Sequence, residues 1–513
     1  MADEPDATPI DPSPPPEEPR RQWRVGRIVS YGFLGVLVVV ALWNLYKPLP
    51  EGTRIRGEPV ETPLGQLHFF TDLTGADVFG APIVHQQIFD ALLKTISEAR
   101  QYVVLDFFLF NSQRGGSVDA KPHRELSREL RDALLARKRQ LPELRVLLIT
   151  DPINDLYGSL PSRDLADLRG AGIDVVRIDL DSLRDSNPIY SALWRVTTKW
   201  WSGDGKGDAW LTNPLDAGPD LVSFGAWARL LNFKADHRKV LIADDGRGGI
   251  TGMVTSANPH DASSLHSNVA LKISGEALLP LLQSEIALAR ESGWRGDWEP
   301  PPPAPSPPVA NPAEAARVQV LTESEIGAAI ERNIAGTRVG DGIDIAMFYL
   351  SDRSVIQALI SAAKRGVAVR VVLDPNKDAF GREKDGIPNR SVASELGAAT
   401  DGAIKVRWFR THGEQFHSKL VVIRTQEEYW FTLGSANLTR RNLQDYNLEA
   451  NVAVSAPQTS EVATAVNAWF EMIWTNHGPP DLEYTAEFGT YADPAQGTYW
   501  LYRLMEATGL STF

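Results

Sequence analysis

Hydrophobic positions first gather into one unbroken block. From Ile28 to Tyr46 the segment IVSYGFLGVLVVVALWNLY carries no charge, which is long enough for a helix to cross the hydrocarbon region of a bilayer. Trp23 precedes the block and Trp43 and Tyr46 close it, as ring side chains at two membrane interfaces would. Arg20, Arg21, Arg24 and Arg27 stand before it. Only Lys47 follows closely, with Arg54 and Arg56 further on. That bias puts the N-terminus in the cytoplasm and the bulk of the chain outside. The flank NLYKPLPEG offers no small-x-small cleavage site, so 20–48 reads as a retained single-pass anchor rather than a cleaved signal. Residues 1–19, acidic and Pro-rich, read as a disordered tail.

Beyond the anchor the pattern changes to short apolar runs alternating with helix-period stretches, and it occurs twice. In 65–298, HQQIFDALLKTISEARQ is followed by YVVLDFFLF. In 313–480, ESEIGAAIERNIAG is followed by IDIAMFYL. A second helix and strand come next in each, DALLARKRQLPELRVLLIT and VIQALISAAKRGVAVRVVL. They end in related turns, Asp151-Pro152-Ile153-Asn154-Asp155-Leu156-Tyr157-Gly158 and Asp374-Pro375-Asn376-Lys377-Asp378-Ala379-Phe380-Gly381. A further short strand, DVVRI or IKVRWF, completes the series. Alternating strands and helices predict an α/β fold of two similar α/β/α halves. The Pro-rich stretch 299–312 predicts an extended linker between them.

Composition narrows the chemistry. The chain lacks cysteine, which excludes disulfides, Cys-based zinc sites and thiol catalysis. A formal charge of -13 argues against broad nucleic-acid binding, which needs a basic surface.

Late in each copy the same residues recur. Asp236-His237-Arg238-Lys239 opens the run to Asp244 and is followed by Thr255-Ser256-Ala257-Asn258; Phe416-His417-Ser418-Lys419 is followed by Gly434-Ser435-Ala436-Asn437. The apolar run after each Lys marks a strand, and its period of two puts His and Lys on one face. A neutral imidazole can attack phosphorus, and a protonated one can donate to the leaving oxygen. Lysines and asparagine amides can hold the charge that develops on the non-bridging oxygens. One His from each copy supplies both roles at the seam, and the chemistry requires no metal or cofactor.

In these motifs the chain resembles the phospholipase D superfamily, whose signature is His-x-Lys-x4-Asp in two copies with a downstream Gly/Ser-x-Asn. The resemblance covers roughly 65–480, and HRKVLIAD and FHSKLVVI…GSANLTRRNLQDYNLE are most similar to cardiolipin synthases and related bacterial phospholipid-processing enzymes. It implies two halves packed about a pseudo-two-fold axis and a site lined by His237, Lys239, Asn258, His417, Lys419 and Asn437, with Asp244 completing the first motif. It also implies His237 as nucleophile and His417 as acid/base. Two positions depart from the pattern. Arg424 stands where the second motif would carry Asp. Glu449 fits the carboxylate expected about thirty residues after His417, but the matching position after His237 is Asn268, which leaves a reversed assignment open. The expected substrate is a phospholipid at the membrane, with no nucleic acid. A nuclease and a catalytically silent binding protein are the alternatives.

Two segments stand outside the repeat. An insertion at about 180–232 holds Trp194, Trp200, Trp201, Trp210 and Trp227. It reads first as a lid packed on its own aromatics, and second as a lipid-facing lip. Within the 481–513 extension, TYWLYRLMEATGL predicts an amphipathic helix docked on the second copy.

Overall fold

The computed structural model describes residues 19–77, 82–116, 124–202, 205, 207–304, 309, 311–379, 382–477, 482–511 and 513. The acidic tail up to residue 18, the Phe380-Gly381 end of the second repeated turn and linker residues 305–308 and 310 lie outside them.

Helix α1 (Pro19–Tyr46) contains Gly26–Tyr46, the one helix among the described residues long and apolar enough to cross a membrane. Two sheets follow. The first contains β1 (Leu67–Ala76), β2 (Tyr102–Phe107), β3 (Arg145–Thr150), β4 (Asp174–Arg177), β5 (Lys239–Asp244), β6 (Ile250–Thr255) and β7 (Asn268–Ser274), in the order β1-β7-β6-β5-β2-β3-β4. The second contains β8 (Ala315–Thr322), β9 (Gly342–Met347), β10 (Ala368–Leu373), β11 (Lys405–Phe409), β12 (Lys419–Arg424), β13 (Tyr429–Gly434) and β14 (Ala450–Ala456), in the order β8-β14-β13-β12-β9-β10-β11. Adding seven to each label of the first order gives the second. The directions agree as well. β2, β3 and β4 run parallel, as do β9, β10 and β11, and the remaining neighbours in both series are antiparallel.

The edges show where this order departs from the sequence boundaries. Val60–Pro63, ahead of the first half, pairs with β8 of the second sheet, and Thr485–Glu487 pairs with β11. The first sheet is instead extended by Pro82–His85 on β1.

Strands β5 and β12 are buried along almost their whole length, the signature of a strand covered on both faces. Val240 and Ile242 point into one continuous core with Leu420 and Val422 of the other sheet, and the helices Leu279–Glu291 and Glu461–Thr475 share it. Leu241 and Ala243 face a separate core beneath the outer helices of the first half, and Val421 and Ile423 do the same in the second. The shared apolar layer holds the C-terminal ends of β2 and β9 near one seam. Helix α2 (Pro188–Val196), in the insertion, packs beside α1, and α3 (Gln496–Thr508) docks on the second half through Tyr502, which is fully buried in its core.

Candidate active site

The local structure of the two motifs is nearly superposable. Lys239 begins β5 opposite Phe107, and Lys419 begins β12 opposite Met347. The residue after each neighbouring strand, Phe108 or Phe348, bonds back to the motif: its N–H donates to Arg238 O (3.2 Å) or Ser418 O (3.1 Å). The Phe108 ring lies 5.0 Å from the His237 ring and 5.3 Å from Lys239 Nζ. For Phe348, His417 and Lys419 the values are 5.1 and 5.2 Å. Each lysine Nζ donates to the carbonyl of its own histidine, at 2.6 and 2.8 Å. The repeated turn has a purpose here. Asp151 accepts the N–H of Asp236, and Asp374 that of Phe416, both at 2.8 Å. Each thus fixes the residue just before the histidine.

The groups that orient the rings come from the opposite half. Residues 236 and 448 form a parallel bridge, and so do 416 and 267. Each bridge carries the following residue onto the neighbouring ring. Glu449 therefore sits on His237, Oε1 to Nδ1 at 2.9 Å, and Asn268 Oδ1 sits 3.1 Å from His417 Nδ1. This corrects the sequence assignment, which placed Glu449 on His417 and Asn268 on His237. Spacing along one copy cannot show that the copies exchange partners. The serines of the two Ser-Ala-Asn runs, which sequence reasoning passed over, hold these partners. Ser256 Oγ donates to Asn268 Oδ1 (2.9 Å) and accepts from Val269 N (3.0 Å), and Ser435 Oγ bonds Glu449 and accepts from Ala450 N (2.9 Å). Asn442 donates to the other Glu449 oxygen.

His237, His417, Asn258 and Asn437 line one cavity of about 430 Å³. His237 keeps 12% of its side-chain surface exposed there. The walls are mainly apolar, with Phe108, Leu109, Leu230, Phe233 and Phe348 prominent. Asn258 Oδ1 accepts the Leu109 N–H at 3.3 Å, while the buried Asn437 Oδ1 has no partner among the described residues. His260 and His266 also face the cavity, and the His266 ring lies 5.7 Å from that of His417. Neither was singled out in the sequence. The only signal was their place between Asn258 and Asn268.

Asp244 is not brought to the site. It lies at the far end of β5, about 16 Å from Lys239 at strand rise. There its carboxylate accepts the N–H groups of Arg100, Gln101, Tyr102 and Gly246 at 2.7–3.0 Å. Arg424, in the same place on β12, pairs with Asp344 and reaches Asn467 at 3.2 Å. Both residues tie down a strand end, so the Arg substitution leaves the cavity untouched.

Burial in a cation-rich seam sets the electrostatics. It pushes His237 down to about 4 against the pull of Glu449, and Lys239 down to about 8. His417 is held well below its ordinary value by burial, with Lys419 and His266 adding to it; Lys419 is lowered by burial and by Lys239. Burial alone would raise Glu449, but His237 and Lys239 hold it below its usual range. Neither lysine has a carboxylate partner within ion-pair distance among the described residues. Burial and the neighbouring cations thus favour the neutral form of both imidazoles. An anion placed among two lysines and two imidazoles would favour the protonated form of the lysines and of one imidazole.

The fold and this paired motif agree with the resemblance to the phospholipase D superfamily, and a family model matches part of the chain. Residues 331–474, in the second half, match the family model described as "Cardiolipin synthase, PLD-like domain". Phosphatidylserine synthase from Haemophilus influenzae Rd KW20 has a similar fold, with a TM-score of 0.53 at 12% identity over 92% of this chain and 98% of that one. Polyphosphate kinase from Porphyromonas gingivalis aligns with a TM-score of 0.41 at 11% identity, over 87% of this chain and 56% of that one. Nuc, a phospholipase D family member from Salmonella typhimurium, gives 0.25 at 17% identity, over 33% and 97%. No curated protein matches the chain by sequence.

Proposed function

We propose that this chain is a membrane-anchored phosphodiesterase built from a duplicated unit, which cleaves or transfers a phospholipid headgroup through a phosphohistidine. One observation carries the reading: two imidazoles, each oriented through Nδ1 by the opposite half, line a single cavity with two lysines behind them. An acceptor on Nδ1 holds the proton there and leaves the Nε2 lone pair free for the cavity. Glu449 makes His237 the nucleophile, since its charge offsets the cation formed when the ring bonds phosphorus. His417, held by the neutral Asn268, is the acid/base.

In the first step His237 Nε2 attacks phosphorus. The P–O bond to the leaving group breaks, and its electron pair takes the proton of the His417 imidazolium. His417 then removes the proton from water or an alcohol. The new oxygen attacks phosphorus, and the P–N bond breaks to return its electrons to His237. Lys239, Lys419, Asn258 and Asn437 hold the non-bridging oxygens. The apolar cavity walls and α1 favour a lipid over a polynucleotide, as does the acidic total charge. The anchor occupies 20–48, with the N-terminus cytoplasmic and the two halves outside.

The test offers the purified chain mixed phospholipids and, separately, DNA, without added metal, and maps phosphate trapped on protein. Lipid turnover with label on His237 supports the reading. DNA cleavage would convert it to a nuclease, and neither activity would leave a silent binding protein.

A further inference from the structure

Outside α1, the exposed large hydrophobic side chains among the described residues are confined to three places. Eight lie between 189 and 231, four between 500 and 510, and Val339 stands alone at the opposite end of β9 from the cavity. Trp200 is 80% exposed, Trp201 69% and Trp210 63%. Water-facing indoles in such number mark a surface that is covered in use. The expected lid of self-packed aromatics holds only for part of the insertion, where Trp201 stacks on Phe224 with ring centroids 5.4 Å apart. Trp194 is buried beneath Arg195, Lys199 and Arg229, and Trp227 donates to Thr212 O at 2.9 Å.

These patches adjoin one another and the anchor. On α1 the positions less exposed than their neighbours are Leu37, Val40, Ala41, Asn44 and Leu45, a three-and-four stripe set against α2. The junction is bonded: Asp185 N–H donates to Asn44 O (2.9 Å), Lys47 Nζ to Asp181 O (2.6 Å) and Arg184 Nε to Lys47 O (2.8 Å). At the next residue, Gly509 at the end of α3 approaches the Ser186 carbonyl so closely that a Cβ there would clash. Ile189 and Leu193, exposed on α2, therefore continue the bare face of the C-terminal part of α1. That part of α1 spans two to three turns, roughly 13 Å at helical rise, about the depth of one leaflet.

We infer that α2, the indole-bearing segment after it and the outer face of α3 are seated in the same bilayer leaflet as the C-terminal end of α1, forming one lipid-docking surface. Leu215, Leu230 and Phe233 of the insertion also wall the cavity, so this seating brings the cavity mouth to headgroup level. A diacyl substrate reaches the histidines without leaving its leaflet. The inference rests on the anchor reading of α1 and is independent of the roles given to the histidines.

The chain contains no cysteine, so single-cysteine variants report unambiguously. Ile189→Cys, Trp200→Cys, Trp210→Cys, Leu504→Cys and, as reference, Val339→Cys would each carry a nitroxide. The full chain would be reconstituted in vesicles of phosphatidylcholine and phosphatidylglycerol. Labels at 189, 200, 210 and 504 are expected to collide more with oxygen than with an aqueous nickel complex, and the label at 339 the reverse. Retention in vesicles after carbonate washing with the four labels as water-accessible as 339 would overturn the inference alone. Release by carbonate would overturn the anchor and the inference together.

Discussion

The strands that follow His237 and His417 begin alike and end differently, and the difference separates chemistry from scaffold. At the cavity end the two motifs repeat each other to within a few tenths of an ångström in every contact of His, Lys and Phe. At the other end one strand closes on Asp244 and the other on Arg424, with unrelated partners. Between His and Lys the halves differ again. Arg238 is fully buried and pairs with Glu285 (3.1 Å) and Glu323 (2.8 Å) of the two halves, while the Ser418 hydroxyl donates to Ser267 O at 3.3 Å. What both copies keep faces the cavity, and what they vary faces away. The exception is the orienting pair, Glu449 against Asn268, where the variation touches the rings themselves.

The comparison breaks most sharply if one histidine proves dispensable. His237→Ala and His417→Ala should each reduce kcat by about 10²–10⁴-fold, and the double variant should lose little more than either single one; assay of headgroup release decides this. Glu449→Gln should cost about 10²-fold or more, as for an imidazole stripped of its carboxylate. Removing that charge lowers the His237 pKa further from about 4, so the acid limb of kcat/KM should move to lower pH. Asn268→Asp sharpens the contrast, because a carboxylate on His417 raises its depressed pKa and should carry the basic limb upward by about one unit. A limb that stays fixed would remove His417 from the acid role.

Smaller effects belong to stability. Arg238→Met strands two buried carboxylates and should destabilise by about 3–5 kcal/mol, against about 1 kcal/mol for Ser418→Ala. Asp244→Asn should lower Tm through weakened strand-end bonds, by about 1–3 kcal/mol, with kcat per folded molecule unchanged.

Much of this was legible in the chain. The order of helices and strands, the two motifs and the docked C-terminal helix followed from periodicity, because strands buried on both faces read as unbroken apolar runs. The exchange of Glu449 and Asn268 was not legible, since it depends on bridges between residues that lie 212 and 149 positions apart. Ser256 and Ser435 were hidden for a related reason: their hydroxyls matter only once the orienting side chains are in place. Asp244 was misjudged because a motif column does not reveal which end of a strand meets the ligand. His260 and His266 lie in an irregular segment, where no period gives direction.

The crossed bridges at 236–448 and 267–416 have a consequence beyond geometry. Each copy keeps its own reactive ring but borrows the group that aims it, so a half made alone would hold a histidine with nothing to steer it. Mixing two separately produced halves should restore what neither possesses, and a lesion in either one would be felt first in its neighbour.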